Sequence, residues 1–155
     1  GLKMPREGPT VLEFNARPGD PETQSYMRLL DSDLLEIVEA CIDGRLHEIE
    51  VKWRPGFAVC IVLAAAGYPF PDYKKGDVIT GIEEAESLPG IVVFHAGTKM
   101  VDGKLVTAGG RVLGVTAYAA TFLEALRRAY EAVKLIHFNG MQYRTDIGAN
   151  SLAVA

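Results

Sequence analysis

Positive charge is in short supply in this chain. Sixteen Lys and Arg stand against 20 Asp and Glu, a net charge of −4, and no block of basic residues occurs. A nucleic-acid partner is therefore not expected, since no basic face is available to neutralise phosphates. An anionic membrane surface is disfavoured for the same reason. Long apolar runs are missing too: the longest, 57–66, is half of the ~20 residues a bilayer span requires. The opening Gly1-Leu2-Lys3-Met4 has no charged segment leading into an apolar stretch, so it does not read as a secretion signal. It also lacks an initiator Met, the mark of a cut end. Cysteine is limited to Cys41 and Cys60, which lack metal-ligand spacing. Both lie in apolar patterns and read as buried thiols of a reducing compartment, the cytoplasm.

What is present is the material of an ordinary globular core. Of 155 residues, 48% are hydrophobic and 23% charged, which suits one domain, or one domain plus part of another. Extended stretches at 2–4 and 10–15 flank the turn-forming spacer Pro5-Arg6-Glu7-Gly8-Pro9 and predict a hairpin. Asp20 and Pro21 predict a helix start with Asp20 as cap, and the helix runs to about Leu30. A second helix, capped by Ser32 and closed by Gly44, carries an apolar stripe of Leu34, Leu35, Ile37, Val38, Cys41 and Ile42, expected to be buried.

Strand patterns follow at 48–53, 57–63 and 77–82, with Trp53 expected in the core. Strands at 91–100 and 104–107 flank Asp102-Gly103, whose residues tolerate the positive φ of a tight hairpin turn. A further strand is predicted at 111–118. Thr121 and Glu124 form the first and last positions of a T-x-x-E capping box, opening a helix that buries Phe122, Leu126, Ala129, Tyr130 and Val133. A closing strand is predicted at 141–147 and a frayed tail at 149–155. The order hairpin, helices, antiparallel strands, helix indicates an α+β fold.

The stretch with most chemical content is Leu12-Glu13-Phe14-Asn15-Ala16-Arg17. In an extended chain alternate residues share a face, so Leu12 and Phe14 are expected to enter a core while Glu13, Asn15 and Arg17 point the other way. A carboxylate beside an amide oxygen offers hard-oxygen ligands of the kind Mg²⁺ accepts. An arginine nearby can grip a phosphate or carboxylate in bidentate fashion. Taken alone, the same residues also fit a solvated strand face, Asp20 a plain helix cap and Glu22 a complement to the helix dipole. His95 at a strand end could contact phosphate but reads first as hydrogen-bonded structure; His47 and His137 read as surface residues. Gly109-Gly110-Arg111 reads as a turn or bulge, with Arg111 able to approach a phosphate. Gly67-Tyr68-Pro69 shapes a loop, and Glu83-Glu84-Ala85-Glu86 a solvated helix turn.

The run Val11 to Gln24, with Glu13-Phe14-Asn15-Ala16-Arg17-Pro18-Gly19-Asp20 at its centre, resembles the metal-binding end of the ATP-grasp domain of glycinamide ribonucleotide synthetases. Further similarity to that family follows in order: Gly67-Tyr68-Pro69, Lys75-Gly76-Asp77-Val78-Ile79-Thr80-Gly81, Phe94-His95-Ala96-Gly97-Thr98, Gly109-Gly110-Arg111-Val112-Leu113-Gly114 and Gly140-Met141-Gln142-Tyr143-Arg144. Together these cover the chain to about Gly148.

The resemblance implies that residues 1–45 end an ATP-grasp domain. Residues 46–148 would then form a mainly antiparallel, barrel-sandwich-like C-terminal domain with a packed helix. It implies that Glu13 and Asn15 coordinate the Mg²⁺ or Mn²⁺ bridging ATP phosphates, that Arg17 contacts the transferred phosphoryl group or a substrate anion, and that Asp20 lies at the substrate. The implied substrates are glycine and 5-phosphoribosylamine, joined at the expense of ATP. Two departures stand out. Pro18 occupies a position where the family usually carries an aromatic residue, and the family's upstream portion, with its nucleotide grip, has no counterpart in these 155 residues. The chain is therefore expected to be inactive alone, as a fragment or as half of a split enzyme. The alternative is a non-catalytic interaction module reusing the fold.

Overall fold

The computed structural model describes residues 1–3, 5 and 7–149. Expectations for Met4 and for the tail beyond Ala149 fall outside the described residues. The α+β order holds, and its centre is a three-stranded antiparallel sheet. Strand β3 (Phe57–Ala64) and strand β4 (Ile91–His95) pair with opposite edges of β7 (Arg111–Ala119). Val59, Ile61 and Leu63 of β3 stand opposite Ala117, Val115 and Leu113 of β7, and all six are buried. That shared face meets helix α4 (Phe122–Val133), which buries Ala125, Leu126, Ala129, Ala132 and Val133 at helical spacing. The Thr121 hydroxyl accepts the Glu124 N–H at 3.3 Å, capping the helix as its sequence indicates. The reciprocal arm of the box is not formed, because Glu124 pairs instead with Arg128 one turn on.

The opposite face of the sheet is covered by α1 (Glu22–Leu29), which packs on β3 and β7. Gly114 makes room for it: a Cβ there would stand 3.3 Å from Cys60 Sγ and 3.6 Å from Gln24 Cγ. Asp102 (φ 47°) and Gly103 (φ 73°) make the expected tight turn between β5 (Thr98–Val101) and β6 (Lys104–Thr107). Gly97 is where that ribbon crosses the sheet end, and a Cβ on it would lie 2.5 Å from Gly109 Cα. A short helix, α3 (Ile82–Glu86), holds β4 through Glu86 Oε1, which accepts the Val93 N–H at 2.9 Å.

Several expected strands are reduced to single bridges. The 48–53 segment begins as a 3₁₀ turn (Leu46–Glu48) and pairs only through Trp53 with Leu30. The 77–82 segment bridges Val78 to Val106 and Thr80 to His137, and 141–147 bridges Gln142 to Ala64. Each meets its partner at isolated positions, Val78 on β6 and Gln142 on the end of β3, without a continuing ladder, and periodicity alone does not distinguish the two. The N-terminal hairpin forms only two pairs, Leu2 with Val11 and Lys3 with Thr10, between β1 (Leu2–Lys3) and β2 (Thr10–Val11).

The larger corrections concern burial. Helix α2 (Leu34–Ile42) is capped by Asp33, whose side chain accepts the Leu35 N–H at 2.7 Å, while the Ser32 hydroxyl accepts the Lys52 N–H. Its stripe is not buried: Leu34, Leu35, Val38, Ile42 and Cys41 are all exposed. Trp53 is exposed as well, and Phe14 is 91% exposed. Ala40 is the one buried residue before Val59 among the described residues. The core belongs to 57–147, and among the described residues the exposed apolar side chains of α2, Trp53 and Phe14 are left uncovered.

Two expectations follow. Ile61→Ala should cost about 2–5 kcal/mol in urea unfolding, whereas Phe14→Ala should stay within about 0.5 kcal/mol; equal losses would contradict this division of the core. Cys60 lies beneath α1, where burial and then the charge of Asp20 push its thiol up from 9.0 to about 12. Because the folded value lies above the ordinary one, its contribution to stability is intact below pH 9 and is lost as pH rises toward 12. Alkylation at about pH 8 should therefore label exposed Cys41 and spare Cys60, and equal labelling in peptide masses would show that α1 does not seal the sheet.

Candidate functional site

The segment from Leu12 to Asp20 runs without strand pairing from the hairpin to α1. Its position is fixed at both ends: the Leu12 N–H donates to the Gly1 carbonyl at 2.9 Å, and Gly19 O accepts the Thr23 N–H at 3.0 Å and the Thr23 hydroxyl. Along it, Glu13, Asn15 and Arg17 face one cavity of about 390 Å³, as alternate residues of an extended chain should. Gly19, Asp20 and Glu22 form its far wall and Tyr26 closes it. The Glu22 side chain folds over Gly19, where a Cβ would stand 2.3 Å from Glu22 Oε2. Leu12 and Phe14 point away as expected, but into solvent rather than into a core.

Asp20 does not cap α1. Pro21 occupies that position without a side-chain bond, and Asp20 Oδ1 instead accepts the Gln24 amide at 3.0 Å. The reason lies across the molecule. Arg111 donates from Nη1 to the Asp20 carbonyl at 2.7 Å, and its Nε lies 3.6 Å from Asp20 Oδ2. Strand alternation would place Arg111 on the same face as Leu113, against α4. One extra residue, Val112, interrupts the register between Leu63 opposite Leu113 and Ala64 opposite Arg111. This bulge turns Arg111 to the α1 side. The Gly109-Gly110-Arg111 turn is thus a bulge that aims a guanidinium at the cavity wall.

The charge of the cavity is lopsided, with Glu13, Asp20 and Glu22 against Arg17, whose Nη1 donates to its neighbour's carbonyl, Pro18 O, at 3.1 Å. Three carboxylates and one guanidinium attract a cation. A self-sufficient metal cage is absent: among the described residues no group of three or more His, Cys, Asp or Glu is placed to hold an ion. Glu13 and Asn15 contribute to this lining one carboxylate and one amide oxygen, the hard-oxygen types that Mg²⁺ accepts.

His95 lies elsewhere, exposed, with Nδ1 3.1 Å from Thr98 Oγ1. His47 and His137 are exposed, as expected. Arg28, in the last turn of α1, donates to the Gly90 carbonyl at 3.1 Å and has its pKa lowered by burial and by Arg54 nearby. The tie between Asp20 and Arg111, 91 residues apart, was not readable from sequence, although the bulge that produces it was.

Comparison with known proteins matches residues 58–150 to the family described as "Phosphoribosylglycinamide synthetase, C domain". The chain is 50% identical over 148 residues to the phosphoribosylamine–glycine ligase of Brucella melitensis, covering 96% of this chain and 34% of that protein. It is 48% identical over 149 residues to the Caldanaerobacter subterraneus enzyme of the same name, covering 96% and 35%. The crystal structure of the Thermotoga maritima phosphoribosylamine–glycine ligase superposes with a TM-score of 0.70 at 39% identity, over 94% of this chain and 35% of that one. The chain thus spans about a third of the length of the curated relatives it matches. No helix among the described residues is long and apolar enough to cross a membrane. On the match over 58–150 and this agreement in fold, the chain belongs to the phosphoribosylglycinamide synthetase family, whose C domain it carries.

Proposed function

We propose that these residues are the closing third of an ATP-dependent ligase that joins glycine to 5-phosphoribosylamine in purine biosynthesis, acting in the cytoplasm. The observation that supports this best is the cavity of net negative charge onto which Glu13, Asn15 and Arg17 converge, in a member of this family. In this reading residues 1–45 finish the ATP-grasp domain and 46–148 form the C-terminal domain.

Glu13 and Asn15 would hold the magnesium or manganese that accompanies ATP, through one carboxylate and one amide oxygen. The ion, when bound, offsets the repulsion between a carboxylate nucleophile and the triphosphate. Arg17 supplies positive charge where the phosphoryl group transfers, and the N–H groups around Gly19 stand at the same wall. Asp20, anchored by Arg111, keeps that wall in place beside the substrate. A free carboxylate is a poor electrophile at neutral pH. Activation of the glycine carboxylate as an acyl phosphate, followed by attack of the sugar amine and release of phosphate, gives the amide.

The uncovered surface fits the same reading. Leu34, Ile37, Leu30, Met27 and Trp53 line an apolar cavity of about 340 Å³ on the N-terminal segment. With the α2 stripe and Phe14 it forms an apolar surface of the kind soluble proteins cover. In the proposed enzyme the preceding two thirds of the chain covers it.

The purified chain should form no glycinamide ribonucleotide from ATP, glycine and 5-phosphoribosylamine. Joined to the upstream portion of a relative, it should do so, and Glu13→Ala should lower the rate by on the order of 10²-fold or more, since a bound ion contributes several kcal/mol to such a step. A joined protein that folds and binds Mg·ATP but is inert with its own Glu13 in place would leave only an interaction module.

A further inference from the structure

Helices α1 and α4 cover opposite faces of the same sheet with different chemistry. Against its face α4 sets Ala125, Leu126, Ala129, Ala132 and Val133, all apolar and buried. Against the other face α1 sets an amide. Gln24 lies over Gly114, where a Cβ would stand 3.6 Å from its Cγ and 3.8 Å from its Nε2. As packing this is a poor choice. Gln24 Oε1 is buried and accepts no hydrogen bond among the described residues, and an unsatisfied buried acceptor costs more than an apolar side chain of the same shape. Packing therefore does not account for Gln24.

Its other amide atom does. Gln24 Nε2 donates to Asp20 Oδ1 at 3.0 Å, while Arg111 Nε lies 3.6 Å from Asp20 Oδ2 and Arg111 Nη1 donates to the Asp20 carbonyl at 2.7 Å. The carbonyl before it, Gly19 O, accepts the Thr23 N–H at 3.0 Å and the Thr23 hydroxyl. Both carboxylate oxygens of Asp20 and both main-chain carbonyls of Gly19 and Asp20 thus face donors on α1 or β7. Held by Arg111 alone, the carboxylate could turn about that contact. A second, charge-assisted bond on its other oxygen fixes its plane.

We infer that Gln24 is a positioning residue for the cavity lined by Glu13, Asn15 and Arg17: together with Arg111 it holds Asp20 as a bracket, and Asp20 carries the Gly19–Glu22 wall instead of binding substrate. Gln24 does not line that cavity itself. The inference rests on the ligase reading above and adds to its site a residue that acts through another.

Two substitutions separate positioning from packing. Gln24→Met keeps the length of the side chain and removes the donor. Gln24→Glu keeps its shape and sets a second carboxylate against Asp20. In the enzyme joined to the upstream portion of a relative, each should lower kcat roughly tenfold at about pH 8, the contribution of one charge-assisted hydrogen bond. The charged and titratable groups around the introduced carboxylate are Asp20, Arg28 one turn along α1, Cys60 on β3 and Arg111 on β7. Asp20 touches it, and this like charge together with burial raises its pKa above the ordinary value of about 4.3. As the pH falls toward about 5.5 it takes up a proton and donates again. Relative to the unsubstituted enzyme, kcat should therefore recover in Gln24→Glu and stay low in Gln24→Met.

Full activity of either variant at about pH 8, or the same pH course in both, would overturn the assignment. So would alkylation of Cys60 in either variant, because α1 would then have left the sheet and the loss would be one of packing. An inert joined enzyme that keeps Gln24 sinks the ligase reading and leaves the bracket to be read in the 155-residue chain by NMR. There the amide signals of Gly19 and Asp20 should move between about pH 8 and 5.5 further in Gln24→Glu than in Gln24→Met. Equal movements would remove the bracket itself.

Discussion

Strand β7 is hydrogen-bonded along both edges, by β3 on one side and β4 on the other, and its residues from Val112 to Ala117 are buried without alternation, so both of its faces are covered. The remainder of the structure supplies that cover. Helix α4 follows it directly in sequence and covers one face with a stripe of small and branched residues. The other face is covered from far away in sequence, by α1, which lies against Cys60 and Gly114 through Gln24. The loop that precedes α1 carries Glu13, Asn15 and Arg17, so the demand of the sheet for cover is also what brings these polar residues to a defined place.

A bulge converts that packing into positioning. Without the extra residue Val112, strand alternation would direct Arg111 into the face against α4, where an unpaired guanidinium would be costly to bury. With it, Arg111 emerges beside α1 and bonds to the Asp20 carbonyl. An exposed ion pair of this kind adds little to stability. Its consequence is geometric: it ties one wall of the cavity lined by Glu13, Asn15 and Arg17 to the start of β7, and its other side borders a second cavity.

Much of the fold was legible because local chemistry agreed with the tertiary outcome. Thr121 and Glu124 marked α4, Asp102-Gly103 marked the β5–β6 turn, and the apolar run after Phe57 marked β3. What failed did so for identifiable reasons. Segments 77–82 and 141–147 have strand composition but meet only single bridges, a matter of partner geometry that periodicity does not carry. The α2 stripe and Trp53 were read as core because amphipathic spacing says that a face is destined for burial, not that its partner lies in the same chain segment. Within the candidate site, the alternation of Glu13, Asn15 and Arg17 was readable. The link from Asp20 to Arg111 was not, since nothing local encodes a contact across 91 residues.

The misplaced burial is informative about how site and stability are divided. Residues 57–147 own a closed core, whereas the described residues before Val59 bury only Ala40. Glu13, Asn15 and Arg17, the residues we propose for the metal and the phosphoryl group, therefore stand on the part of the chain with the least packing of its own. Their order depends on α1 against the sheet, on the Arg111 tie, and on whatever covers α2 and Phe14. A cavity built this way is held on one side by the C domain and left open on the other, which is the arrangement expected where two bodies of a larger enzyme meet around a reacting phosphate. In the proposed ligase, covering the apolar surface and completing the site would be the same event, and ion binding at Glu13 and Asn15 would strengthen only as the surrounding chain closes over them.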